Sequence, residues 1–223
     1  MVPVRVRQVI DDWRAAGSPA QGEIRWPRPR WVARFPSQAD TFTMLPDRLG
    51  RAIVRSFCTE AATSPQAALR AFLVAMVWGY GRVGYGPFRV ERILAATPDA
   101  GVRLQNAARE LTDSGPVHAY TLLGDDGVGQ LPGLGPAFGT KFLYFCSPPG
   151  RPALILDRLV AAWLRAHTGL RLNEVRWSSP TYARYLATMT GWAGELGLAA
   201  DELEACVFAE QAGLAGGQRA SEP

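Results

Sequence analysis

The chain has 223 residues, 48% of them hydrophobic and 20% charged, which suits one large folded domain and excludes global disorder. A formal net charge of +4 fits a polyanion partner. Three scattered cysteines, Cys58, Cys146 and Cys206, lack the spacing of a zinc finger, an iron–sulfur cluster or a disulfide framework, and they point to a reducing cytoplasm.

In chain order, the pattern is helical nearly throughout. Val6, Val9, Ile10 and Trp13 follow helical spacing and predict a first helix. Residues 17–36 mix prolines and glycines with Trp26, Trp31 and four arginines, and read as an extended basic segment. Leu49, Ile53 and Phe57 step by four, predicting a helix from near Pro46. Ser64-Pro65 is a cap followed by a proline at the first helical position, and opens an apolar, central helix to about Trp78. A glycine-rich loop over 79–86, helices over 87–96 and 99–112, and a short one over 115–123 follow. Asp125-Asp126 reads as a turn. Residues 153–156 are the best extended run. Ser179-Pro180 repeats the cap signal ahead of a helix to about Leu196; residues 201–211 close the fold, and 212–223 read as a loose tail. No apolar run follows the charged start, and the most apolar stretch, 71–78, is too short to cross a bilayer, so neither a leader nor a membrane partner is expected. His118 and His167 are isolated, so no metal is expected, and with no cofactor motif in the chain no other cofactor is expected either. The fold class is mainly α.

Among 24 basic residues there is one lysine, Lys141. Codon usage rich in arginine replaces lysine wherever either serves. It spares a lysine whose amine must shed its proton and attack carbon, which a guanidinium effectively cannot do. Lys141 lies in the most informative stretch, residues 130–158, QLPGLGPAFGTKFLYFCSPPGRPALILDR. The glycines and prolines of 131–139 predict a tight turn whose free N–H groups suit a phosphate oxygen. A helix carrying Lys141 is expected to begin near Gly139. Phe138, Phe142, Tyr144 and Phe145 would bury its amine. Asp157, sixteen residues on, precedes a helix containing Leu159, Val160 and Trp163 and would sit at its N-terminus.

A Leu/Pro/Gly turn, then Gly-Thr-Lys opening a helix, then an apolar run ending in Asp, resembles the helix-hairpin-helix DNA glycosylase superfamily. Within it the chain most resembles bacterial OGG-like 8-oxoguanine DNA glycosylases, over roughly residues 64–211. The resemblance implies two helical lobes around a DNA-binding cleft in a single domain, 1–211: one lobe from 1–63 with the C-terminal helices, the other from 64–167 with the hairpin. It implies Lys141 as nucleophile at C1′ of a flipped nucleotide and Asp157 as its assistant, with an attached AP lyase step. The family pattern, roughly Leu-Pro-Gly-x-Gly-Thr-Lys, makes Gly139 the second hairpin glycine. Ala137 then stands in the first glycine's place, and Gly135, Ala137 and Gly139 would hold the DNA backbone. Phe208 corresponds to a base-stacking aromatic, Glu204 to a group bonding the base edge and Phe145 to a cover on the other side. Tyr80, Arg82 or Tyr85 corresponds to the wedge that fills the gap left by flipping.

The expected partner is double-stranded DNA containing a modified base, bound by a monomer. 8-Oxoguanine is the first-choice base. Another modified base, such as a bulky modified cytosine of phage DNA, would make the enzyme one of antiviral defence rather than repair. The rival from another class is a non-catalytic helix-hairpin-helix DNA-binding protein, which needs neither Lys141 nor Asp157 for chemistry.

Overall fold

The computed structural model describes residues 1–124, 127–150 and 152–220, with the side chains of the last helix described to Gly213. Asp125 and Asp126, expected as a turn, lie outside the described residues. The mainly α expectation holds: described strand is confined to a two-residue antiparallel pair. No helix among the described residues is long and apolar enough to cross a membrane.

Helix α1 (Val4–Ala15) buries Val6, Val9 and Ile10. Strand β1 (Ile24–Arg25) pairs with β2 (Arg48–Leu49). Between them lie α2 (Arg28–Arg34), a 3-10 turn at Pro36–Gln38 and α3 (Ala39–Met44). Of the segment expected as extended, 17–27 is non-helical and holds β1, whereas 28–34 is helical. Pro29 occupies the first turn of α2, where its missing N–H costs nothing. Trp31 is fully buried against Phe35 and Phe42. Arg28 is a structural residue: it donates to the carbonyls of Phe42 and Leu45 at 2.7 and 2.6 Å. Helix α4 (Arg51–Cys58) starts five residues later than the spacing around Pro46 predicts, because β2 intervenes.

Helix α5 (Pro65–Tyr80) runs through the centre. Ser64 caps it by accepting the Ala67 N–H at 3.1 Å, an interaction that contributes about 1 kcal/mol. Its unbroken buried run from Ala71 to Trp78 needs partners on every side. They are α3, α4, α6 (Gly86–Ala95), α7 (Ala100–Asp113) and α9 (Pro136–Cys146). The helix continues through Gly79 and Tyr80 before Gly81 ends it, so the expected loop is shortened to 81–85.

Helix α8 (Pro116–Leu123) leads into the turn ahead of α9. Leu131 O accepts the Leu134 N–H at 2.9 Å across Pro132 and Gly133. Proline second and a glycine at φ +88° third is the chemistry of a type II turn. Gly135 then caps α9 and Pro136 takes its first position. The hairpin register expected from the family pattern is thus corrected: Ala137 and Gly139 lie inside α9, and the turn glycine is Gly133. Gly139 serves packing instead. A Cβ there would meet the Trp177 ring at 2.3 Å.

Residues 153–156 are buried and extended but belong to no sheet. Hydroxyl groups replace the ladder. Leu156 N–H donates to Thr140 Oγ1 (3.0 Å), Ala153 N–H donates to Ser147 Oγ (2.8 Å), and the Tyr182 and Tyr185 hydroxyls donate to the carbonyls of Leu154 and Ile155 (2.9 and 3.1 Å). Helix α10 (Arg158–Thr168) follows. Helix α11 (Ser179–Leu196) takes its N-cap at Ser178, one residue before the expected serine. Helix α12 (Ala200–Ala220) packs against α1, α10 and α11 and continues into the segment expected as a tail.

Candidate active site

Lys141 lies one and a half turns into α9 and is 6% exposed. Its Nζ donates to Asp157 Oδ2 at 2.9 Å and to the Ala137 carbonyl at 3.2 Å. The ammonium also sits 5.0 Å from the centre of the Phe138 ring. Gly79 of α5 makes room for its stem, since a Cβ at that position would come within 2.9 Å of Lys141 Cδ. A glycine in a helix interior costs about 1 kcal/mol, which the passage of this lysine explains.

Asp157 is the N-cap of α10, as the sequence predicts, and its Oδ1 accepts the Leu159 N–H at 2.9 Å. One oxygen caps the helix while the other meets Lys141. The hydroxyl-pinned segment 153–156 delivers Asp157 to that place, with Thr140 tying it directly to the helix that carries the lysine. Burial works against ionisation of Asp157. The neighbouring Lys141 charge and the Leu159 N–H outweigh it and hold the carboxyl below its ordinary range.

The pair opens onto a pocket of about 220 Å³. Its walls include Trp78, Ile155 and Phe208, with Tyr80 stacked on Phe138 (centroids 4.2 Å apart). Glu204, predicted from the sequence, lines it too, but as a buried group rather than a surface charge. Its Oε2 accepts from Arg51 Nη1 at 3.0 Å. Burial raises the Glu204 carboxyl, and Arg51 pulls part of that rise back. Burial works against the charge on the Arg51 guanidinium, but Glu204 and Tyr144 drive it above its usual value. Phe145 is not in the pocket. It is 1% exposed and packs edge-on to Trp78 (5.0 Å), so it supports the wall from behind.

Beside this pocket, and sharing Ile24 and Gly81 with it, a cleft of about 520 Å³ is lined by Arg25, Arg48 and Arg82 with Glu23. Of the three residues expected as a wedge, Tyr80 is buried, whereas Arg82 and Tyr85 are exposed. Gly135 caps the start of α9, and Ala137, at the second helical position, has no intrahelical acceptor for its N–H.

The structure therefore brings together Lys141 and Asp157 with Glu204 and Phe208 of α12, from two distant stretches of chain. Sequence reasoning misses Arg51, Trp78 and Gln21. Arg51 is one of 23 arginines and carries no local signal. Trp78 stands at the end of an apolar run that reads as core. Chemically, the arrangement offers a shielded amine, a carboxylate fixed beside it, and an aromatic-walled cavity for a flat ring.

A family model described as "Putative 8-oxoguanine DNA glycosylase OGG-like protein" matches residues 17–208, a span that includes every residue lining the pocket. No curated protein and no solved structure matches the chain.

Proposed function

The chain belongs to the family of OGG-like 8-oxoguanine DNA glycosylases, and on that premise we propose that it excises a modified base from double-stranded DNA, with Lys141 attacking C1′ of an extruded nucleotide. The observation that carries the reading is the Lys141–Asp157 pair, 2.9 Å apart, at the edge of an aromatic-walled pocket. A module that only grips the DNA backbone has no use for a lysine buried beside an aspartate, so the non-catalytic alternative leaves this geometry unexplained.

The target base leaves the stack and enters the pocket between Trp78 and Phe208. The glycosidic bond breaks with its electron pair going to the base, which departs with a proton from the ammonium. The freed amine bonds to C1′. Asp157, held ionised, stabilises positive charge as it develops on the sugar. The amine–sugar adduct opens to a Schiff base, from which β-elimination cleaves the strand.

The pocket takes residues from both expected lobes. Gln21, Ile24, Arg51, Glu204 and Phe208 come from one, and Trp78, Lys141 and Asp157 from the other. DNA would lie across their junction as a helix-hairpin-helix protein holds it. The turn before α9 and the Ala137 N–H would meet one phosphate, and the arginine-lined cleft the strand beside the extruded nucleotide. Exposed Arg82 or Tyr85 would fill the vacated stack. 8-Oxoguanine is the base proposed.

Borohydride trapping tests the reading. Wild-type protein is expected to form a covalent adduct with duplexes carrying 8-oxoguanine or an abasic site, and Lys141→Gln to form none. Intact DNA binding with no adduct on any duplex would overturn it. An adduct only on duplexes with bulky modified cytosine would keep the chemistry and move the substrate.

A further inference from the structure

The pocket contains a second pair of charges that the attack on C1′ does not use. Glu204 is 1% exposed, and its only charged hydrogen-bond partner among the described residues is Arg51, at 3.0 Å. Arg51 is itself clamped. It stacks over Tyr144 at 4.8 Å and Trp78 at 5.7 Å, and its Nε donates to Gln21. An ion pair this deep is a poor stabiliser, because desolvation offsets most of the attraction and apolar replacements of similar volume are often as stable. Both residues nevertheless line the cavity that holds Lys141 and Asp157.

We infer that Arg51 is a positioning residue for base recognition: it holds the Glu204 carboxylate in place as the acceptor that meets the N–H edge of the extruded base. The inference rests on the lysine glycosylase reading above. A carboxylate offers two oxygens and several acceptor sites, so the bond to Arg51 leaves capacity for more donors. A guanine-type base presents adjacent N1–H and N2–H donors, which a carboxylate can accept side by side. Without Arg51, burial favours the protonated carboxyl, which loses acceptor capacity. Arg51 itself need not touch the sugar or the lysine.

The experiment compares full-length wild type with Arg51→Met, Arg51→Lys and the double variant Arg51→Gln/Glu204→Gln, which replaces the ion pair by a neutral one. Each is given duplexes with 8-oxoguanine, with 8-oxohypoxanthine, which lacks the 2-amino group, and with an abasic site. Single-turnover excision of 8-oxoguanine is expected to fall about a hundredfold in Arg51→Met and in the double variant, with partial rescue by Arg51→Lys. Wild type is expected to favour 8-oxoguanine over 8-oxohypoxanthine by about tenfold or more, and the double variant to lose that preference. Adduct formation on the abasic duplex, which has no base to read, is expected to survive in all three.

A folded double variant that excises 8-oxoguanine within a few-fold of wild type, or that keeps the preference, would overturn the inference and leave the pair a structural one. If Arg51→Met does not fold, the double variant decides. Loss of abasic adducts in a folded double variant would equally overturn it, by showing that the pair acts on the lysine. Wild-type protein that traps no duplex would instead overturn the glycosylase reading itself.

Discussion

Asp157 performs two tasks that substitution can separate. Asp157→Asn keeps an oxygen for the Leu159 N–H but removes the charge facing Lys141. The Lys141 side chain is 8% exposed and that of Asp157 21%, so the substitution leaves an ammonium largely shielded from water without its partner. Stranding one member of a buried pair costs roughly 3–5 kcal/mol, and the partial exposure of Asp157 puts this case near 3. For a chain of this size that corresponds to a melting temperature about 6–12 °C lower. Asp157→Ala also removes the cap and is expected to cost about 1 kcal/mol more. The sign of the pH dependence follows from the lowered carboxyl. Its folded value lies below its unfolded one, so the stabilisation is complete above about pH 5 and is lost as the pH falls through the folded value. Thermal melts of wild type and both variants, at pH 7 and in acid, check both the size and the sign. An Asn variant that melts with wild type at pH 7, or a gap that persists undiminished in acid, would refute the coupling of this carboxylate to the lysine.

Gly139→Ala is expected to force Trp177 aside, since the new Cβ would lie 2.3 Å from the ring. The bond from Trp177 Nε1 to the Leu134 carbonyl, 3.2 Å long, would go with it. Overpacking of this kind costs about 1–3 kcal/mol, read in a denaturant melt, and an unshifted midpoint would show that the ring has room to move. Replacing Arg25, Arg48 and Arg82 with Gln is expected to flatten the dependence of log Kobs on log salt by about 0.9 for each phosphate that these arginines neutralise. An unchanged slope would remove the arginine-lined cleft from the DNA path.

What is legible in the sequence is what local rules govern. Ser64-Pro65 announces α5, a lone lysine marks the amine, and Asp157 reads as a cap whatever else it faces. Two expectations fail for one reason: a proline there opens a helix instead of breaking one. Pro29 sits in the first turn of α2 instead of keeping that stretch extended, and Pro136 starts α9 in the register that its own chemistry prescribes. At Pro136 the family pattern pulls the hairpin forward to Gly139, whose reason for being glycine lies 38 positions away in Trp177. Arg51 is illegible for a related reason. Its partner Glu204 is 153 residues distant, and no periodicity links an early helix to the last one.

The hydroxyl-pinned segment before α10 has a consequence for how such a site can vary. Here four separate hydroxyls grip individual backbone groups, those of Thr140 and Ser147 from α9 and its end, those of Tyr182 and Tyr185 from α11. The exposed turn around Pro149 and Gly150 lies before every gripped group along the chain, and neither gripping helix depends on its length. Residues can therefore be inserted there and absorbed as slack. The count of residues between Lys141 and Asp157 is free to drift, while the distance between them is kept by parts of the chain that the count does not measure.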